Sequence, residues 1–217
     1  IAGQFGLPVI TPRPGLVPLT FSDEKFKPLA GVAAPARVTA DHTSFDEAIL
    51  FTHRGLSGPA VLQASSYWQE GTGITVNLDP SGALTDALQT ARQTDGRKAL
   101  TTALAQHIPA RLVTHLADAL QLDGNIADQS DARLMDISAQ LSAWELRPAG
   151  SEGYRTAEVT LGGVDTDALS SKTMEAKTVK GLYFIGECVD VTGWLGGYNF
   201  QWAWSSGWAA GQAISAV

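Results

Sequence analysis

The chain has 217 residues and a formal charge of −7, with 44% hydrophobic and 17% charged residues. That length buries a sizeable core in one large or two small domains, and the composition is that of a globular protein. The acidic balance offers no electrostatic footprint for nucleic acid or for an anionic membrane, and no apolar run reaches the length of a bilayer span. The single cysteine, Cys188, leaves no internal disulfide and no multi-cysteine metal site, which fits a reducing cytoplasm.

In chain order, residues 1–6 read as the end of a helix running into a strand at 7–10. Prolines at 8, 12, 14, 18, 28 and 35 predict short, irregular strands up to residue 40. Residues 37–41 alternate as a half-buried strand, and 48–52 form a stronger one. Residues 55–58 read as a turn, with Ser57 as a helix cap and Pro59 at the first position of a helix reaching about Trp68. Residues 73–78 predict a further strand.

Near residue 80 the pattern becomes helical. Leu84, Leu88 and Ala91 share one face, and Leu100, Ala103, Leu104 and Ile108 share another. Pro109 opens a helix with Leu112, Val113, Leu116 and Leu120 inside. Asp123-Gly124 breaks it, and Ser130 or Asp131 caps a last helix carrying Leu134, Ile137 and Leu141. A bundle of three or four helices inserted into a β domain is the expectation. Residues 144–147 and 157–161 return to strand character.

The C-terminal stretch carries the chemistry. An apolar run at 182–185 predicts a buried strand, ended by Gly186 and followed at once by Glu187. A turn-rich loop with Gly196-Gly197 then leads into a helix whose repeating residues are Phe200, Ala203, Trp204, Gly207, Trp208, Gly211 and Ile214. A carboxylate at a strand end can accept ligand hydroxyls in the crevice where open α/β sheets bind ligands. Glycines admit close backbone approach, and a helix N-terminus suits an anion or an electron-rich ring.

On these residues the chain resembles a known family. Thr178, four residues, then Tyr183-Phe-Ile-Gly-Glu187 looks like the second flavin motif of two-dinucleotide-fold flavoproteins, with Glu where most have Asp. The continuation Gly186-Glu-Cys-Val-Asp190-Val-x-Gly193-x-x-Gly196-Gly197-Tyr198-Asn199-x-Gln201 resembles the YhiN/BaiN-like flavoproteins, NAD(P)/FAD-dependent oxidoreductases. Residues 12–19, 51–59, 160–166 and 172–176 fit the same family, so only about 81–143 lacks its motifs. The resemblance implies an α+β or α/β chain. It has a β-barrel-like substrate domain at 11–80 and 144–162, with a helical-bundle insert at 81–143. The C-terminal strand–helix portion of a Rossmann-type FAD-binding domain follows at 163–217, and residues 1–10 are a remnant of that domain. The Gly-x-Gly-x-x-Gly segment that opens such proteins is expected upstream of Ile1, as a partner of this fragment, which is expected to be inactive alone.

The resemblance also implies a site. Gly162-Gly163-Val164 matches the family's turn beside the flavin ring. Gly186, Glu187 and Asp190 would hold the ribityl side of FAD, and Gly196, Gly197, Tyr198 and Asn199 would line the flavin. NAD(P)H is the expected electron donor, and the substrate is expected to be a small molecule. No residue is identified as catalytic: His53 reads either as a catalytic group or as a histidine fixing its turn through backbone hydrogen bonds. Four scattered histidines have no metal-ligand spacing. Trp194 is the one tryptophan placed near a ring, and the others read as core. Cys188, alone, is expected to be buried and to act in packing. The alternative reading is a binding module whose insert recognises a macromolecule. Residues 81–143 hold five Arg/Lys against seven Asp, which argues against nucleic acid.

Overall fold

The computed structural model describes residues 1–216. They divide into two compact units, one from Pro18 to Ser151 and one comprising Ile1–Val17 with the chain from Glu152 onward. The strands at 9–15 and 159–164 therefore sit with the C-terminal residues, whereas the sequence reading placed residues 11–17 and 152–162 in the insert.

The strands are β1 (Val9–Gly15), β2 (Leu19–Thr20), β3 (Ala33–Ala40), β4 (Thr43–Phe51), β5 (Gly55–Ser57), β6 (Ile74–Asn77), β7 (Trp144–Leu146), β8 (Gly150–Ser151) and β9 (Val159–Val164). The helices are α1 (Pro59–Ser65), α2 (Leu84–Asp95), α3 (Leu100–Leu104), α4 (Ala110–Leu116), α5 (Asp131–Ser142) and α6 (Tyr198–Ser215).

In the unit from Pro18 to Ser151, seven antiparallel strands run in the order β7-β6-β3-β4-β5-β2-β8. Alternation sets the register. Ala34, Ala36, Val38 and Ala40 of β3 point inward beside Phe45, Ile49 and Phe51 of β4, because successive side chains of a strand face opposite ways. On the outer face Arg37 lies opposite Asp46 and grips it with two hydrogen bonds, of 2.6 and 2.7 Å. The guanidinium holds the Asp46 carboxyl below its usual range, chiefly through that hydrogen bonding. Phe26 ties the strands together, with ring centroids 4.9 Å from Phe21, 5.3 Å from Phe51 and 5.8 Å from Trp144. Edge-to-face contacts of this kind add to the burial energy.

The helical insert forms as its periodicity predicts. Leu88, Leu100, Leu112, Leu134 and Ile137 are fully buried in the same core as the sheet, and Ser130 caps α5 by accepting from the Arg133 amide at 3.2 Å. Two details near α1 differ from expectation. Gly58 rather than Ser57 occupies the cap, and α1 ends at Ser65 rather than near Trp68. His53 is exposed, and the turn it lies in is fixed by Thr52, whose hydroxyl accepts from the amides of Arg54 and Gly55.

The other unit has a smaller core, built on Ala2, Leu7, Val164, Leu169, Ala176 and Val189. β1 pairs with β9 antiparallel, with a register shift between Ile10 and Arg13. The run at 182–185 forms no ladder among the described residues. Tyr183 makes one bridge to Glu175, and Ile185 is 44% exposed. A strand needs a neighbour along its length to satisfy its amides, and here the run is held only locally, the Ala176 amide donating to the Leu182 carbonyl at 2.7 Å and the Phe184 amide to the Met174 carbonyl at 3.1 Å. Helix α6 buries Ser206 and Ala210, while Phe200, Trp204, Trp208 and Ile214 are exposed. The tryptophans read as core thus include two on the open face of α6. Among the described residues no helix is long and apolar enough to cross a membrane, and no cluster of three His, Cys, Asp or Glu side chains forms a metal site.

Leu88→Ala tests whether insert and sheet share one core. Removing this fully buried side chain is expected to cost about 2–5 kcal/mol, read as a lower denaturant midpoint. A change within error would mean the insert contributes no stability.

Candidate functional site

The site is built on α6 and the loop before it. Gly196 (φ 117°) and Gly197 (φ 88°) both take left-handed backbone, and Gly197 is the N-cap of α6 with no side-chain cap. The first intrahelical bond runs from the Gln201 amide to the Gly197 carbonyl at 3.0 Å. The amides of Tyr198, Asn199 and Phe200 therefore have no partner in the helix and carry its positive dipole end.

Asn199 closes the loop. Its Oδ1 accepts from the Gly193 amide at 2.8 Å, and its Nδ2 donates to the Gly193 carbonyl at 3.0 Å. Gly193 has no room for a side chain, since a Cβ there would lie 2.5 Å from the Tyr198 Cβ. Two further side chains of α6 hold Gly186. Trp202 Nε1 donates to its carbonyl at 3.0 Å, and the Gly186 amide donates to Ser206 Oγ at 2.9 Å. Sequence reasoning missed both roles. The available signal was the spacing of Trp202 and Ser206, four apart and so on one helical face.

Glu187 sits in a 3₁₀ turn, Gly186–Cys188, and one carboxylate oxygen accepts from the Thr160 amide at 2.5 Å. Asp190 donates its amide to the Val164 carbonyl at 2.9 Å. Gly162 and Gly163 lie inside β9 rather than in a turn after it. A Cβ on Gly162 would meet the Thr11 carbonyl oxygen at 2.6 Å, and one on Gly163 the Cys188 carbonyl oxygen at 2.5 Å. Their first use is thus close backbone packing. Cys188 is exposed, not buried, with its thiol 3.1 Å from the Ile185 carbonyl. The turn carrying it packs on β9 through backbone, which leaves the side chain outside.

These elements enclose a cleft of about 240 Å³, lined by Glu187, Trp194, Gly196, Gly197, Asn199 and Trp202 among others. Of the expected residues, Glu187, Gly196, Gly197 and Asn199 line it. Gly162, Gly163, Val164, Gly186, Asp190 and Tyr198 do not; they are neighbours that shape its frame. Leu16, Glu158, Val191 and Leu195 also line it and carried no sequence signal; Phe200 and Ala203 line it too, marked by the sequence only as repeating residues of the helix. The arrangement combines an apolar slot, one carboxylate and an uncapped helix N-terminus. It suits a flat, electron-rich ring bearing hydrogen-bonding edges.

Residues 13–159 match the family described as "HI0933-like protein barrel and H2TH domain". The chain is 53% identical over 222 residues to the Ribosomal RNA dihydrouridine synthase of Escherichia coli (strain K12), covering 100% of this chain and 56% of that protein. It is 48% identical over 219 residues to the same-named protein of Haemophilus influenzae, covering 99% and 55%. A 3-dehydro-bile acid delta(4,6)-reductase of Clostridium scindens is 29% identical over 225 residues, covering 93% and 53%. The chain spans about half the length of these curated relatives.

These names correct one expectation. The charge count excluded a nucleic-acid partner, yet two relatives sharing about half their matched residues with this chain are named for acting on ribosomal RNA. A residue count averages over faces, whereas phosphate is met by a few cations on one face.

Gly163→Ala tests the packing account of the frame. With φ at 125° and the Cys188 carbonyl oxygen 2.5 Å from the new Cβ, a loss of about 1–3 kcal/mol is expected. An unchanged melting curve would show that β9 and the 186–188 turn are not in tight contact.

Proposed function

This chain belongs to the family of HI0933-like proteins, and on that premise we propose that it is part of a flavin-dependent reductase that converts uridine in ribosomal RNA to dihydrouridine. The observation that carries the reading is the cleft at the N-terminus of α6, taken with 53% and 48% identity to two proteins of that name. The weaker likeness to a bile acid reductase, at 29%, is compatible in chemistry. The C5=C6 bond of uracil is conjugated to a carbonyl, as are the delta(4,6) double bonds of a 3-dehydro steroid. Both are carbon–carbon double bonds open to hydride addition followed by protonation.

The cleft fits part of FAD. Its volume of about 240 Å³ suits a ring system rather than a whole dinucleotide, and the glycines leave the α6 amides uncovered. Bound there, FAD would supply hydride transfer, with reduced nicotinamide as the proposed source of electrons. The overall change is uridine plus NAD(P)H plus a proton to dihydrouridine plus NAD(P)⁺. The chain's own residues orient and shield. The amides of Tyr198, Asn199 and Phe200 would stabilise negative charge at the ring edge facing the helix. The carboxylate oxygen of Glu187 left free by Thr160 would accept from a cofactor hydroxyl. Trp194 and Trp202 would exclude water from one side of the slot. Gly162, Gly163, Val164, Gly186, Asp190 and Tyr198 would act by holding these groups in place.

The reading is tested on the whole protein. Ribosomal RNA from a strain lacking the gene, digested to nucleosides, should lose dihydrouridine relative to wild type by mass spectrometry. Purified protein with NAD(P)H should restore it. An unchanged dihydrouridine content on deletion would sink the proposal.

Gly197→Val in that protein addresses the cofactor site. A branched residue at φ 88° removes the open backbone at the helix start. The expected result is loss of flavin absorbance with helical content retained. Normal flavin content would move the ring elsewhere.

A further inference from the structure

We propose that Arg54 and Arg147, which flank β2 at one edge of the sheet, form a phosphate-binding clamp for the RNA backbone. The inference rests on the RNA reading above and names the surface that would meet the substrate.

The unit from Pro18 to Ser151 contains seven arginines: Arg37, Arg54, Arg92, Arg97, Arg111, Arg133 and Arg147. Four are committed internally. Arg37 pairs with Asp46, Arg92 with Asp131 and Arg133 with Asp136. Arg111 donates to the carbonyls of Pro28 and Ala30. The insert's lysine, Lys98, pairs with Asp95. The helical insert thus engages four of its five cations internally. Among the described residues, Arg54, Arg97 and Arg147 have no hydrogen-bond or ion-pair partner through the side chain, and all three are exposed.

Two of these three lie on the segments leading into the strands either side of β2: Arg54 immediately precedes β5, and Arg147, directly after β7, lies three residues before β8. Thr20 of β2 lies opposite Gly55 of β5 on one side and Gly150 of β8 on the other. Just beyond, the Phe21 amide donates to the Arg54 carbonyl at 2.9 Å, and the Ala149 amide donates to the Thr20 carbonyl at 2.8 Å. With neighbouring strands about 4.8 Å apart, the backbones leading into β5 and β8 run about 10 Å from one another across β2.

Both arginines stand on fixed backbone. The Arg54 turn is closed by the Thr52 hydroxyl and by the Thr52 amide, which donates to the Gly55 carbonyl at 2.8 Å. Arg147 is followed by buried Pro148, whose ring restricts the preceding residue to extended conformations. Lys25 and Lys27 are paired with Asp23 and Glu24, whereas among the described residues the two guanidiniums have no internal counterion. A guanidinium presents a planar fork matched to phosphate oxygens. Two of them on segments next to strands would make a discrete contact within a chain whose net charge is −7.

The experiment measures binding of the whole protein to fluorescently labelled, deproteinised ribosomal RNA across a salt series. The double variant Arg54→Gln/Arg147→Gln is expected to bind more weakly, with the slope of log affinity against log salt shallower by about 1.4, two phosphates at about 0.7 each. Arg54→Lys/Arg147→Lys, which keeps the charge, should recover most of the slope whether or not the glutamine variant melts earlier. Arg97→Gln, on the helical insert, should leave it unchanged. If wild type binds the RNA with a salt-dependent affinity and the glutamine pair matches it, the clamp is wrong and the RNA reading stands. A wild-type protein that neither binds this RNA nor forms dihydrouridine in it overturns both.

Discussion

The unit that carries the cleft depends on one close approach between backbones. β9 runs through Gly162, against which the β1 backbone at Ile10 and Thr11 lies, and Gly163, whose missing side chain allows the backbone at Cys188 and Val189 to lie directly against the strand. From that contact the rest follows. Val164 bridges Val189, Asp190 donates to Val164, and Glu187 reaches the Thr160 amide. The turn at Gly186–Cys188 is thereby set where Trp202 and Ser206 of α6 can grip it. The core of this unit is small, so backbone and side-chain hydrogen bonds hold much of its geometry.

This economy leaves α6 half clothed. Its anchored face carries Trp202, Ser206 and Ala210, while Phe200, Trp204 and Trp208 stand in the open, each about 70% exposed. Three large aromatics on one helix seldom remain uncovered in a stable monomer. The sheet unit is the opposite case. There, alternation along β3 and β4 and the ring cluster around Phe26 fill a continuous core with the helices, and the polar groups that remain outside are mostly paired.

Under the proposed reading as part of a flavin-dependent RNA reductase, the division of labour would follow these two characters. One unit presents a narrow slot with a free helix terminus, suited to a ring. The other has a continuous core, and two of its unpaired guanidiniums, Arg54 and Arg147, sit next to strands.

Much of the architecture was legible because it is written in local periodicity. The heptad-like spacing of Leu84 to Leu141 specifies helices without reference to anything distant, and the glycine pair before Tyr198 announces a helix start. The family resemblance grouped Glu187, Gly196, Gly197 and Asn199 with six further residues, and these four line one cleft. The sequence could not place Cys188, Trp204 or the run at 182–185, because their burial depends on which surfaces meet them, and periodicity does not encode a partner. Nor could a charge count find Arg54 and Arg147. They are 93 positions apart in sequence, and only the strand order β5-β2-β8 puts the segments that carry them on either side of one strand. Gly162 and Gly163 show the same limit. A glycine pair reads as a turn until the tertiary fold reveals the carbonyl oxygens of Thr11 and Cys188 occupying the space where side chains would be.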